Sequence, residues 1–219
     1  MPKYRTIYAD PPWWEAGGGK IRRGADRHYK LMKTDAIAAL PVASLAEDDS
    51  HLYLWVTNGK LKDGLTVMEA WGWRYVTNIA WGKDRFGLGQ YFRGQHELCL
   101  FGVRGNLPYR TNPVTGKRAQ GRTLILAPRG AHSEKPEEMR SMIQLVSPGP
   151  YLELFARKQT PGWDTWGDEV FCDVQMPSDK QVEPYRCAGY EYGCRTLLTN
   201  GVFCPSCEQE YHEDPDAFK

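Results

Sequence analysis

No stretch of this 219-residue chain approaches the roughly eighteen consecutive apolar residues that span a membrane. The opening residues Met1-Pro2-Lys3-Tyr4-Arg5 lead into no signal-peptide core, so a cytoplasmic protein without a membrane partner is expected. Internal repeats of twenty to fifty residues are missing, which excludes solenoids and propellers. A P-loop is missing as well. Gly17-Gly18-Gly19-Lys20 has Trp14 at the leading glycine position and Ile21 where Ser or Thr is required. What the chain does have is aromatic residues: twelve tyrosines and eight tryptophans, too many for a disordered tail and enough for a core with some left over for a site. The length suits one domain with a small appendage and excludes two large domains.

Net charge is close to zero, at +1, but the charges are segregated. Between Lys83 and Gly130, nine bases (Lys83, Arg85, Arg93, Arg104, Arg110, Lys117, Arg118, Arg122, Arg129) face two acids, Asp84 and Glu97. From Asp164 to Lys219 there are twelve acids and four bases. A basic middle is the electrostatic footprint of contact with a phosphate backbone, and a solvated positive face is the alternative reading.

β-Branched and apolar runs bounded by turn residues predict strands near 5–9, 51–57, 75–81, 96–103, 122–127 and 151–156. Helices are expected over 35–40, 60–71 and 136–146, the last with Pro136 at its first helical position and Glu137 and Glu138 at the positive end of its dipole. The alternation implies an α/β sheet covered on both faces. Residues 14–30, 83–95 and 105–121 read as long basic loops with interleaved aromatics, a pattern common where nucleic acid is contacted. Charge and patterning change near 168–177, which divides the chain into 1–170 and a C-terminal 171–219.

The sharpest motif is Asp10-Pro11-Pro12-Trp13, placed directly after the first strand. Open α/β sheets bind ligands at the carboxyl ends of their strands. A stiff prolyl turn there can aim the Asp10 carboxylate and the Pro11 carbonyl at one target as two acceptors. The exocyclic amine of adenine offers two N–H donors. Accepting both localises its lone pair, and the carboxylate stabilises the positive charge that grows on nitrogen during alkylation. Trp13 is expected to stack on a base held outside the helix stack. A rigid turn carrying a core tryptophan is the purely structural alternative.

Ile7-Tyr8-Ala9-Asp10-Pro11-Pro12-Trp13, His28-Tyr29, Leu54-Trp55-Val56-Thr57, residues 95–105 from Gln95-His96-Glu97 to Arg104-Gly105, and Glu153-Leu154-Phe155-Ala156-Arg157 occur in an order that resembles the MT-A70 family of adenine methyltransferases over about residues 4–170. The resemblance implies a Rossmann-like class I methyltransferase fold with permuted motif order, catalytic strand first and cofactor half later. That order explains why no glycine-rich fingerprint follows the first strand. It implies catalytic roles for Asp10, Pro11, Pro12 and Trp13, and S-adenosylmethionine as cofactor, bound by Asp10, Lys135, Glu153, Leu154, Phe155, Arg157, Gly167, Asp168 and Glu169. Lys135 is expected to grip the cofactor carboxylate and Glu153 to serve its ribose side, although a lone solvated lysine and a Glu153–Arg157 ion pair are the plainer readings. Asp168 stands where the family commonly has Asn, and a carboxylate cannot donate as an amide does. A general base in Gln95-His96-Glu97 is not required, because the proton of a methylated amine can pass to water.

The loops place Lys20, Arg22, Arg23, Arg27, Arg85 and Arg93 as nucleic-acid contacts. In the tail, Cys187, Cys194, Cys204 and Cys207 fall within twenty-one residues, with Cys204-Pro205-Ser206-Cys207 spaced as a knuckle. A structural zinc site would supply stability that so little apolar sequence cannot, with His212 and Cys172 as reserve ligands and free thiols or disulfides as the alternative. The expectation is N6-adenine methylation of DNA, favoured because a compact chain looks prokaryotic or phage-borne. RNA methylation, a non-catalytic binding subunit of the same fold and a zinc-dependent nucleic-acid scaffold are the rivals.

Overall fold

In the computed structural model, residues 3–14, 31–87, 91–112, 114–130 and 134–176 are described, together with the backbone of 185–186 and 197–198. Residues 1–176 form one compact unit and 177–219 a second. In the second unit Tyr185–Arg186 pairs antiparallel with Leu197–Leu198.

The first unit is built on a seven-stranded sheet of β1 (Tyr4–Ala9), β2 (Ala46–Val56), β3 (Arg74–Gly82), β4 (His96–Arg104), β5 (Leu124–Leu126), β6 (Tyr151–Leu154) and β7 (Trp163–Trp166), ordered β5-β3-β4-β2-β1-β6-β7. β1 runs parallel to both β2 and β6, and β6 parallel to β7. β4 is the reversed strand, antiparallel to β2 and β3. This mixed sheet fits the expected Rossmann-like methyltransferase architecture, with the strand that carries Asp10 coming first in the chain.

Both faces are covered, as the apolar runs predicted. Along β2, Leu52, Leu54 and Val56 join a cluster with Ile37 of α1 (Thr34–Ala38) and Val67 and Met68 of α2 (Leu61–Ala70). Tyr53 and Trp55 point the other way, into a cluster with Met139 and Ile143 of α3 (Glu137–Val146). The period of two along a strand divides one apolar run between two cores. Gly64 interrupts α2 because of close packing on β2. A Cβ there would lie 2.3 Å from Val56 Cγ1, so the glycine lets the helix settle onto the sheet.

Several expectations change in detail. Pro136 caps α3 from outside the helix instead of occupying its first position. β2 begins five residues before the expected strand, with exposed Glu47, Asp48 and Asp49 in an extension that starts at Ala46, opposite Tyr4. Asp49 accepts a hydrogen bond from the Asn106 backbone, and Asp48 pairs with Arg104. β7 lies where only a closing motif was read. The expected loop over 105–121 contains a bridge between Thr111 and Arg118. No described helix is long and apolar enough to cross a membrane.

Most tryptophans belong to the architecture. The indoles of Trp55, Trp71, Trp73 and Trp81 are buried and donate to Tyr8 Oη and to the carbonyls of Ile37, Ser50 and Ala127, respectively. A buried indole satisfied in this way adds core volume without an orphaned donor. His51 is buried likewise between Ser147 Oγ (2.8 Å) and the Leu107 carbonyl (3.2 Å), and burial pushes its imidazole down to about 4.

Candidate active site

The chain leaves β1 toward β2 on one side, while β6 leads to β7 on the other. The crevice of the sheet therefore opens between the carboxyl ends of β1 and β6, the position at which open α/β folds bind ligands. Asp10 follows β1 directly, and its backbone N–H reaches the Leu154 carbonyl at the end of β6 (3.4 Å). Phe155, the residue just after β6, sits at φ 60°, a left-handed conformation that is costly for an aromatic residue. β7 closes on the same edge, where the Ala156 N–H meets the Trp166 carbonyl at 3.0 Å. A Cβ on Gly167 would lie 2.2 Å from the Ala156 carbonyl oxygen, so this approach requires glycine.

The Asp10 carboxylate is 27% exposed and accepts a hydrogen bond from Lys135 Nζ at 2.6 Å. Lys135 precedes α3, and its side chain is only 9% exposed. Its ammonium lies 3.5 Å from Glu97 Oε2 and 5.3 Å from the centre of the Trp55 ring. The other Glu97 oxygen pairs with Lys83, whose ammonium stands 4.5 Å over Trp81. Acid and base thus alternate along Lys83, Glu97, Lys135 and Asp10. Burial alone would pull the Lys135 ammonium down, but the carboxylates of Asp10 and Glu97 outweigh it and hold the group above its ordinary value. For Glu97 burial pushes the other way, and the two lysines prevail, keeping its carboxyl below the usual range.

The prolyl turn is as stiff as expected and more fully engaged. Pro11 is buried, and its carbonyl accepts the Trp13 N–H at 2.9 Å, leaving its second lone pair for another donor. The Pro12 carbonyl accepts the Met32 N–H at 2.8 Å, and Trp14 N–H reaches back to the Met32 carbonyl. Trp13 itself differs from the expectation of a base-stacking ring. It is 7% exposed, packs in the α1–α2 core cluster and donates from Nε1 to the Trp55 carbonyl at 2.9 Å. The structural alternative describes this side chain, and the neighbouring Trp14 is the exposed indole, at 47%.

Glu153 is also placed differently. Its two oxygens are bound by Arg140 of α3, at 3.0 Å from Nε and 2.7 Å from Nη2, in a buried bidentate pair. The sequence spacing offered Arg157 as the partner. Arg140 was missed because it lies on another element, and only a basic residue on the buried face of α3 hinted at it. Arg140 also meets Glu137, and its guanidinium lies 5.6 Å from the Tyr8 ring. Leu154 is buried, Phe155 is half-buried edge-on to Trp166, and Arg157 is half-buried. Asp168 and Glu169 are exposed beyond Gly167.

Arg85 and Arg93 lie on the described part of the β3–β4 loop, both exposed. Lys20, Arg22, Arg23 and Arg27, the His28-Tyr29 pair, and the cysteines Cys187, Cys194, Cys204 and Cys207 with His212 fall outside the described residues. Among the described residues no group of three or more His, Cys, Asp or Glu is placed to hold a metal ion. Cys172, the reserve ligand, is exposed and contacts the Gly167 backbone.

Comparison with known proteins agrees with this geometry. The chain is 30% identical over 204 residues to the type II methyltransferase M.MunI of Mycoplasma sp, covering 83% of this chain and 84% of that protein. It is 31% identical over 185 residues to the human N(6)-adenosine-methyltransferase catalytic subunit METTL3, and likewise to a Drosophila melanogaster N(6)-adenosine-methyltransferase MT-A70-like protein. Each of these alignments covers 78% of this chain, but the chain spans only 29% of the human protein and 27% of the fly protein. Residues 4–169 match MT-A70 as a family, from the first residue of β1 to just past β7, and the chain belongs to the MT-A70 family.

Proposed function

We propose that this protein transfers a methyl group from S-adenosylmethionine to N6 of adenine in DNA. The observation that carries the reading is the Asp10 carboxylate, part-exposed at the strand-order crevice and fixed by a buried lysine. The residues around it suit the cofactor. Lys135 offers a cation for its carboxylate, Asp168 and Glu169 offer acceptors for ribose hydroxyls, and Phe155 offers an apolar edge. Bound there, S-adenosylmethionine would supply an electrophilic methyl carbon on a sulfonium.

Asp10 and the remaining lone pair of the Pro11 carbonyl accept the two amine hydrogens and draw the nitrogen lone pair out of the ring. With the cofactor bound, its methyl carbon would be the electrophile that the nitrogen attacks, and the carbon–sulfur electron pair would stay on sulfur. One amine proton passes to water, so no dedicated base is needed. Asp10 acts chiefly by stabilising positive charge that is greater at the transition state than in the bound amine. Lys135 fixes the carboxylate in line, and Glu97 and Lys83 hold Lys135.

Two observations favour different polynucleotides. The relative matched over most of both chains is a type II methyltransferase, which favours DNA, whereas the human and fly relatives are named for adenosine and favour RNA. Incubating the protein with labelled cofactor and matched DNA and RNA oligonucleotides decides between them. N6-methyladenine in DNA is expected; label only in RNA shifts the substrate, and label on no adenine overturns the reading. The assignment of zinc to Cys187, Cys194, Cys204 and Cys207 rests on their spacing alone. One equivalent of zinc in the purified protein supports it, and metal-free protein overturns it.

A further inference from the structure

The β3–β4 loop leaves two large aromatic side chains in solvent. Tyr91 is 93% and Phe92 90% exposed, whereas most of the other aromatics among the described residues are buried or half-buried. The loop that carries them is braced. Gly87 N–H reaches the Gly94 carbonyl at 2.6 Å, Lys83 N–H the Gln95 carbonyl at 2.8 Å, and Arg93 Nε the Gly87 carbonyl at 3.1 Å. The Arg93 guanidinium stands 5.7 Å from the ring of Phe86, itself 60% exposed. Arg85 projects nearby with its side chain 82% exposed, and Asp84, the acid beside it, accepts the Arg129 backbone N–H.

Position gives this surface its meaning. β3 runs parallel to β1, because both are antiparallel or once removed from the reversed β4, so the loop after β3 leaves the sheet at the same edge as Asp10. Lys83 at the start of the loop and Glu97 just after it are the outer members of the charge chain that ends on Asp10. Exposed rings flanked by arginines, braced at the mouth of a site that takes one base, match a surface for unstacked bases between phosphates.

We propose that Tyr91 and Phe92 form a stacking wedge that occupies the gap, or supports the neighbouring bases, when the target adenine leaves a duplex. The inference rests on the reading of Asp10 as an adenine-binding group. Unstacking and unpairing oppose extrusion, and a wedge is needed only where the target base is still paired.

The test compares the full-length protein with its Tyr91→Ala/Phe92→Ala variant on two methylatable duplexes, one with the target adenine paired and one with it opposite an abasic position. The variant should lose about tenfold or more in kcat/KM on the paired duplex and less than about threefold on the other. 2-Aminopurine at the target position should brighten with wild-type protein and stay quenched with the variant. Both proteins should share one thermal midpoint and one oligomeric state. Equal losses on both duplexes, brightening that survives in the variant, or an assembly that dissociates on substitution would overturn the wedge; the last would assign the rings to a protein contact. A wild-type protein that brightens 2-aminopurine but methylates neither duplex would instead refute the reading of Asp10 and leave the wedge standing.

Discussion

Replacing Glu97 by Gln keeps the shape of the side chain and removes the central anion of the Lys83–Glu97–Lys135–Asp10 chain. The side chains of Lys83, Glu97 and Lys135 are 14%, 19% and 9% exposed, much closer to the buried limit than to that of a surface ion pair. Breaking a buried pair costs about 3–5 kcal/mol and an exposed one under about 1, so about 2–4 kcal/mol is expected here. In a domain of this size that lowers the thermal midpoint by roughly 5–15 °C. Because the lysines hold the Glu97 carboxyl below its usual range, its contribution is complete above the unfolded value of about 4.3. The contribution disappears as pH falls through the lower folded value. Urea unfolding of wild type and Glu97→Gln should therefore differ fully from pH 7 down to the unfolded value of about 4.3 and converge only as pH falls below it. A double-mutant cycle with Lys83→Met should show coupling of at least about 1 kcal/mol. A difference below about 0.5 kcal/mol at pH 7, or one that does not shrink as pH falls well below about 4.3, would refute the ion chain as described.

Trp13→Ala should cost about 3–5 kcal/mol in urea unfolding as a core deletion, and Trp14→Ala less than about 0.5; the reverse ranking would restore Trp13 to the solvent side. Arg140→Met leaves the Glu153 carboxylate buried without its partner and should cost about 3–5 kcal/mol, checked by the thermal midpoint. Burial lowers the His51 imidazole to about 4 while the unfolded chain titrates near 6.5, so folding loses stability as pH falls from about 6.5 to 4. That loss, on the order of 3 kcal/mol, should vanish from the profile of His51→Gln once its lower baseline is subtracted.

The sheet was readable because apolar runs with alternating faces leave a periodic trace, and six of its seven strands fall where that trace lies. β7 was not, because Trp163-Asp164-Thr165-Trp166 is four residues long and carries a charge that meets the Tyr4 hydroxyl across 160 residues of chain. The polar start of β2 escaped for a similar reason, since its acids are answered by Arg104 and the Asn106 backbone. The motif singled out Asp10, and the family resemblance singled out Lys135. Direct contact between the two was invisible in the sequence, as was the pairing of Glu153 with Arg140, because ion pairs between distant elements have no local signature. Trp13 shows the opposite failure. A motif residue three positions after Asp10 was assigned to chemistry, whereas its ring packs in the core and its indole N–H donates to the Trp55 carbonyl.

The central claim is that the Asp10 carboxylate receives the adenine amine, and the most direct measurement is single-turnover methyl transfer by Asp10→Asn beside its affinity for the same oligonucleotide. Transfer should fall by about a hundredfold or more, with binding held within about threefold, because the lost charge acts mainly at the transition state. Transfer within about tenfold of wild type would contradict the account.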